Sequence, residues 1–265
     1  MDLSVCDSNG KLKSLMRLCH LLSFSGRNTP SPIKRALRQE ANFGCAICGC
    51  PILDYHHIIP YHVSHAFLPE DMIVLCPTHH RRANDGEYSD KYLREMKKAP
   101  FNKTTVQDSF FLESGEMAIN VATNTFLRTS RILEVDDFDL ISLNMESRTP
   151  LFNLNIFDKA NNWIGVVNEN DWVVNRTLVW DVEYRPRHLV IRNAPRQVSL
   201  DARIRDSTIF LTGRTYFNGV SIEMTESGLL LGGEAAGTKM TDCVFSDVKV
   251  GISLHTRKNV HFKYR

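Results

Sequence analysis

Two short motifs in the first hundred residues have the composition of metal knuckles: Cys45-Ala-Ile-Cys48 and Cys76-Pro-Thr-His79. Each pair has two intervening residues, and a tight turn of that length aims both side chains at one point. Two such pairs supply four thiolate or imidazole ligands, which suits tetrahedral zinc and leaves no open position. The expected ion is therefore structural. It pins together the ends of a segment too short to hold much core of its own. The plainer alternative is that these are buried thiols without a metal. Cys50 could also stand in for Cys48, although Cys45-x-x-Cys48 has the better geometry. Seven cysteines in all, an odd number with four of them clustered among histidines, do not read as a disulfide framework.

Between and after the knuckles lie histidines that a zinc site does not need. The strings are Asp54-Tyr-His56-His57-Ile-Ile-Pro60 and Glu70-Asp71-Met-Ile-Val-Leu-Cys76-Pro-Thr-His79-His80-Arg-Arg-Ala-Asn84-Asp-Gly86. A helix beginning near Pro77 puts His80 and Asn84 on one face, four residues apart. That face can meet a strand carrying His56 and His57. Together these side chains could hold one divalent cation against a phosphate and leave an imidazole free. Phosphodiester hydrolysis needs both parts, a Lewis acid for the leaving oxygen and a base for the water. Neutral histidine, with an ordinary pKa of about 6.5, has the right basicity.

The order of these features resembles the HNH nuclease family. The matching features are a knuckle, a His-His-Ile-Ile-Pro strand, a Leu-Cys-Pro-x-His-His helix start and a polar residue four positions after the last His. The resemblance covers about residues 33–98. It implies a ββα-metal module in which His57 is the general base. His56 and His80 would bind a catalytic Mg²⁺ or similar ion, with Asn84 a nearby ligand or orienter. Cys45, Cys48, Cys76 and His79 would bind structural zinc. The family's middle signature residue is usually asparagine, five positions before the knuckle cysteine; here it is Asp71. An aspartate there can accept a hydrogen bond from an imidazole and orient the base. It would also raise that histidine's pKa and move the working pH upward. Neighbours on an ideal strand point to opposite faces, so His56 and His57 share a site only where the strand is twisted or bulged.

Arg81 and Arg82 follow on the same helix, either as a solvated face or as a grip on the scissile or neighbouring phosphate. His62 and His65 have no partner spacing and read as polar loop residues. The expected activity is metal-dependent endonucleolytic cleavage of nucleic acid, with DNA favoured by resemblance. The competing readings are a zinc-stabilised binding module that does not cut, and a ribonuclease or toxin-type effector.

The elements that must position these residues make an α+β chain. Its 265 residues, 43% apolar and 23% charged, suffice for one large or two ordinary domains and exclude a disordered chain. No apolar run is long enough to span a membrane, and no secretory signal is evident, so the expected location is cytoplasmic. The net charge of +2 makes the chain no polycation. However, residues 1–100 hold 13 Lys/Arg against 10 Asp/Glu and seven of the ten histidines.

Residues 1–32 read as a leader with one amphipathic stretch, Lys11 to Phe24. Pro32 then opens a helix from Ile33 to about Asn42, with Lys34, Arg35 and Arg38 free to face outward, either as a solvated helix face or as a phosphate-contacting edge. The nuclease-like module occupies residues 33–100, ending where Ala99-Pro100 stops a second helix. A domain break near Lys98–Thr105 should be open to proteases if the two parts are loosely joined. Residues 104–265 form a β-rich region, with apolar triplets recurring about every ten residues from Leu189 to Val260. That beat fits a β-sandwich or a short β-solenoid, with a lean to solenoid. Trp163, Trp172 and Trp180 are expected to anchor its core. Its role is recognition, inhibition or assembly, through a sensing partner or a second copy of the chain. A nuclease joined to such a region suggests action against foreign DNA.

Overall fold

A computed structural model describes residues 28–232 and 237–256. The stretch Lys11 to Phe24 and the last β beat at Val260 lie outside those residues. The chain is mixed α+β and rich in strands that form open sheets. None of its described helices is long and apolar enough to cross a membrane.

The first hundred residues carry α1 (Ser31–Glu40), β1 (Asp54–His57), the short α2 (Tyr61–Ser64), β2 (Met72–Leu75), α3 (Pro77–Asn84) and α4 (Asp90–Lys98). Prolines sit in the first turns of α1 and α3, where a missing N–H costs nothing. Ser89 caps α4 by accepting from the Tyr92 N–H. Strands β1 and β2 pair antiparallel without a break, from Asp54↔Leu75 to His57↔Met72. All four β2 side chains are buried, so the strand reads as a continuous apolar run rather than an alternating one. Ile73 and Leu75 pack with Cys45, Cys76 and Leu93 on one face of the ribbon. Met72 and Val74 pack with Leu37 and Ala41 of α1 on the other.

The second half is two sheets over one apolar core that takes Phe152 and Trp172 from one and Leu200 and Ile222 from the other. In the first sheet β6 (Arg131–Val135), β7 (Phe138–Glu146), β8 (Thr149–Phe157), β9 (Trp163–Asn168) and β10 (Asp171–Asn175) follow in chain order. β3 (Thr105–Ser109) flanks β10, and β19 (Val250–Leu254) flanks β6 in parallel. The second sheet runs β11 (Asp181–Arg185), β12 (His188–Ala194), β13 (Gln197–Arg205), β14 (Thr208–Phe217), β15 (Val220–Thr225), β16 (Gly228–Gly232) and β17 (Gly237–Met240). β4 (Ala118–Val121) joins β14 in parallel; β5 (Asn124–Leu127) pairs with β4, and β18 (Val244–Ser246) with β5.

Through β16 the ten-residue beat therefore marks antiparallel hairpins, not solenoid coils, while its later strands β18 and β19 pair in parallel with β5 and β6. The reason lies in the turns. Within the beat, the two-residue turns holding Arg187, Arg196, Asp206 and Asn218-Gly219 take positive φ, as Asp136-Asp137, Ser147-Arg148 and Glu169-Asn170 do in the first sheet. That is the geometry of a two-residue hairpin turn, which reverses the chain rather than carrying it to a next coil. Gly213, at φ +135, is where β14 changes partners: Thr212 pairs with β13 and Gly213 with β15. A Cβ there would meet the Ser199 carbonyl oxygen at 2.6 Å, so only glycine allows the bend.

The two halves are clamped together. Asp181, fully buried on β11, accepts from Arg38 Nε at 3.0 Å and Nη2 at 2.7 Å, and Arg38 Nη1 donates to the Tyr55 hydroxyl at 2.8 Å. Arg38 is thus no outward-facing charge, which corrects the sequence reading: the acid that buries it stands more than a hundred residues away. Arg35 lies 4.2 Å from the Trp180 ring centroid, so Trp180 carries a guanidinium, and Trp172 is the fully buried tryptophan. The joint is not loose. Phe101 N–H donates to the Ala46 carbonyl, and Asn102 exchanges hydrogen bonds with Asn42 and reaches the Gly49 carbonyl.

Candidate metal centre

The local fold brings the two knuckles together. Cys45 and Cys48 lie on a turn closed by Gly49 N–H to Cys45 carbonyl and Cys45 N–H to Cys50 carbonyl, both 2.8 Å. Gly49 takes φ +78 at its apex, against Asn102. Cys76 precedes α3, and His79 stands in that helix's first turn. The ligand atoms of Cys45, Cys48, Cys76 and His79 all lie within 4.8 Å of one another. Cys48 Sγ and Cys76 Sγ are 3.8 Å apart, and His79 Nδ1 lies 3.2 Å from Cys76 Sγ and 3.5 Å from Cys45 Sγ. A tetrahedron of Zn–S bonds near 2.3 Å has edges of about 3.8 Å, so these separations are close enough to hold a metal ion and compatible with zinc.

Burial pushes the Cys45 thiol up to about 12, so the position resists a thiolate unless a cation compensates it. Burial also holds the His79 imidazole below its ordinary value, in the neutral form that ligates metal. Cys50 is not part of the set; its Sγ turns to the Ile52 carbonyl. Among the described residues no other group of three or more Cys, His, Asp or Glu is gathered this closely.

Beside this cage lies a second, more open neighbourhood. His56 points to the α3 side of β1, where its ring meets that of His80 edge-on at 5.3 Å. Asn84 follows His80 by one helical turn on that face, and burial, then the His80 and His57 imidazoles, keep His56 below the ordinary histidine value. His80 Nδ1 lies 3.2 Å from Asp54 Oδ2. An Nδ1–H donated to that carboxylate leaves Nε2 with the lone pair. Sequence reasoning gave Asp54 no role. The available signal was its two-residue spacing from His56, which puts both on one strand face.

His57 is not brought into this group. With β1 and β2 in unbroken register, alternation turns it to the other face, against Tyr61 at 5.7 Å and Phe67 at 5.4 Å between ring centres. Its Nε2 is buried without a hydrogen-bond partner, and burial lowers its pKa. Asp71 does not orient an imidazole here. Its carboxylate accepts from Arg94 Nη2 at 3.0 Å, and its carbonyl accepts the Ile58 N–H at 2.8 Å, tying off the ribbon. Arg81 and Arg82 are exposed and paired with Asp85 and Glu87, the arrangement of a solvated helix face. His65 caps α2 in the left-handed region and His62 lies within that helix. Comparison with protein-family models, curated proteins and solved structures finds no match to this chain.

Proposed function

We propose that this chain is a metal-dependent endonuclease of HNH type, hydrolysing phosphodiester bonds in nucleic acid, with DNA the favoured substrate. The observation that carries the reading is the convergence of His56, His80 and Asn84 on one side of the β1–α3 unit, next to a separate four-ligand zinc cage. His56, His80 and Asn84 would hold a Mg²⁺-like cation, with Asp54 fixing the His80 tautomer. Such a cation supplies charge neutralisation at the phosphate and the leaving oxygen. The chain's own residues do the rest. The zinc cage fixes the start of α3, and so sets where His80 and Asn84 project. His56 stays neutral through burial and can offer a lone pair.

The base is assigned to His57 on the family resemblance, supported by its neutral imidazole and its unpartnered Nε2. Strand alternation sets a condition on that assignment, because His57 must leave Tyr61 and Phe67 to reach a phosphate at His80. The same orientation favours one competing reading, a zinc-stabilised module that binds nucleic acid without cutting. Incubating the purified, zinc-loaded chain with plasmid DNA and with RNA, with and without added Mg²⁺ or Mn²⁺, separates them. Metal-dependent scission of DNA lost in His80→Ala supports the nuclease; binding without scission under every metal leaves the binding module.

A further inference from the structure

A cleft of 720 Å³ opens between the two halves of the chain, and Asp54 and His80 form part of its wall. Lys34 and Arg35 of α1 line it from the first half, and Glu183 and Arg185 of β11 line it from the β-rich half. Its charges are not balanced. Asp181, behind the cleft, is satisfied by Arg38, and Glu183 accepts from Arg192 Nη1 at 2.6 Å. The acids of the β11 wall are therefore already neutralised from within the protein. Asp54 is bonded to His80. What remains is cationic. Among the described residues Lys34 has only the Tyr55 ring face, 5.6 Å from its Nζ, and Arg185 is exposed with no ion pair or hydrogen bond. Arg35 is held in place by Trp180, with only a long contact to Asp181 at 3.4 Å.

Cations on opposite walls of an open cleft suit an extended polyanion better than a small one, which would need converging donors. We propose that this cleft carries the phosphodiester backbone of a nucleic-acid strand to the His80 edge of the site, with Lys34 and Arg185 gripping phosphates from opposite walls. The β-rich half then has a part in substrate binding, through the end of β11. The Arg38–Asp181 clamp sets the width of the cleft, because it fixes α1 against that strand. The identity of the polyanion rests on the nuclease reading above.

The test is fluorescence anisotropy with a labelled DNA duplex and the matching single strand, using the zinc-loaded full chain without added Mg²⁺. Binding is measured across a salt series. Lys34→Gln with Arg185→Gln should weaken binding and lower the slope of log Kd against log salt by about 2, roughly one for each phosphate no longer neutralised. Arg205→Gln, on β13 and outside the cleft, should leave the slope unchanged. Arg185→Glu alone, at an exposed position that does not threaten folding, should weaken binding further than Arg185→Gln. An unchanged slope in the double variant overturns the cleft, and if the wild type still cuts DNA with Mg²⁺ the nuclease reading survives it. A lowered slope in a chain that cuts under no metal keeps the cleft and removes the nuclease. A wild type that binds neither strand form overturns both.

Discussion

His79 and His80 are neighbours on one helix and belong to different chemical environments. His79 turns into a cage of three sulfurs, with all its ligand atoms within a few ångströms and two of its four residues buried. His80 turns the other way, to Asp54 and His56, where the groups are half exposed and less tightly gathered. Successive helical side chains diverge by about 100°, so one residue step separates a closed site from an open one. The closed site has the donors for a soft, tetrahedral ion and no room for substrate. The open one has nitrogen and oxygen donors and a cleft beside it.

The largest way to break that comparison is to open the cage. Cys45→Ala or Cys76→Ala should cost the protein its zinc, about one ion per chain, and unfold residues 33–98. Metal analysis with circular dichroism reads both, and His79→Ala should behave alike. A folded, zinc-loaded His79→Ala beside a zinc-free His80→Ala would exchange the two roles.

Next come the proposed base, on the opposite face of β1, and the open site itself. His57→Ala should lower cleavage by about 10²–10⁴-fold, as loss of a general base does, with zinc content and DNA binding intact. His80→Ala should lose activity that high Mn²⁺ restores in part. Wild-type turnover in His57→Ala would remove it as the base and pass the role to a group on the His56 side.

The clamp between the halves should show in stability. Asp181→Asn leaves the buried Arg38 guanidinium only its 3.4 Å contact with Glu183 to offset its charge, at a cost of up to about 3–5 kcal/mol, measurable by urea unfolding. Arg38→Met with Asp181→Leu should recover much of it, because neither charge is then left buried alone.

A smaller effect concerns pH. A base must be neutral, and burial holds His57 below the ordinary 6.5. It therefore stays competent down through 6.5 and fails only as pH falls through its lowered pKa. The acid limb of kcat/KM should have its midpoint below 6.5, the reverse of the upward shift expected from Asp71, whose carboxylate is taken by Arg94. A midpoint above that value would mean an acid reaches the base in the working state. Smallest of all, Arg81→Gln and Arg82→Gln should leave melting and cleavage nearly unchanged, since both pair with exposed acids. A loss of about tenfold, the equivalent of 1.4 kcal/mol of transition-state stabilisation, would return them to the phosphate.

Much of this arrangement was legible in the residues. Cys-x-x-Cys and Cys-x-x-His are local motifs, and a short turn or one helical turn is all the geometry they need. His80 and Asn84 were legible for the same reason. The facing of His57 was foreseeable only as a conflict, since alternation and resemblance disagree, and the unbroken β1–β2 register decides for alternation. Arg38 was misread because its partner Asp181 is distant in sequence, and helical periodicity carries no information about what another domain buries. The ten-residue beat located strands from Leu189 to Leu254, but a beat gives spacing, not direction. Direction lay in turns such as Pro195-Arg196, where Arg196 takes a positive φ that no propensity of its residue type would suggest.

The parallel pairings of the β-rich half bear on how it is made. Most of its hairpins close over two-residue turns and can form as soon as each emerges. β18 and β19 cannot. They lie beside β5 and β6, with Asp247 N–H bonded to the Leu127 carbonyl across more than a hundred residues of chain. The entropy of closing so long a loop is spent before the new pairing offsets it. Through most of synthesis on the ribosome, the edges of β5 and β6 therefore stand open, with Phe126 still lacking the Phe245 ring that stacks on it at 4.7 Å. The last strands act as a latch. Until they arrive, the half-made sheet is exposed to edge pairing with other nascent chains, and its folding yield depends on how quickly that latch closes.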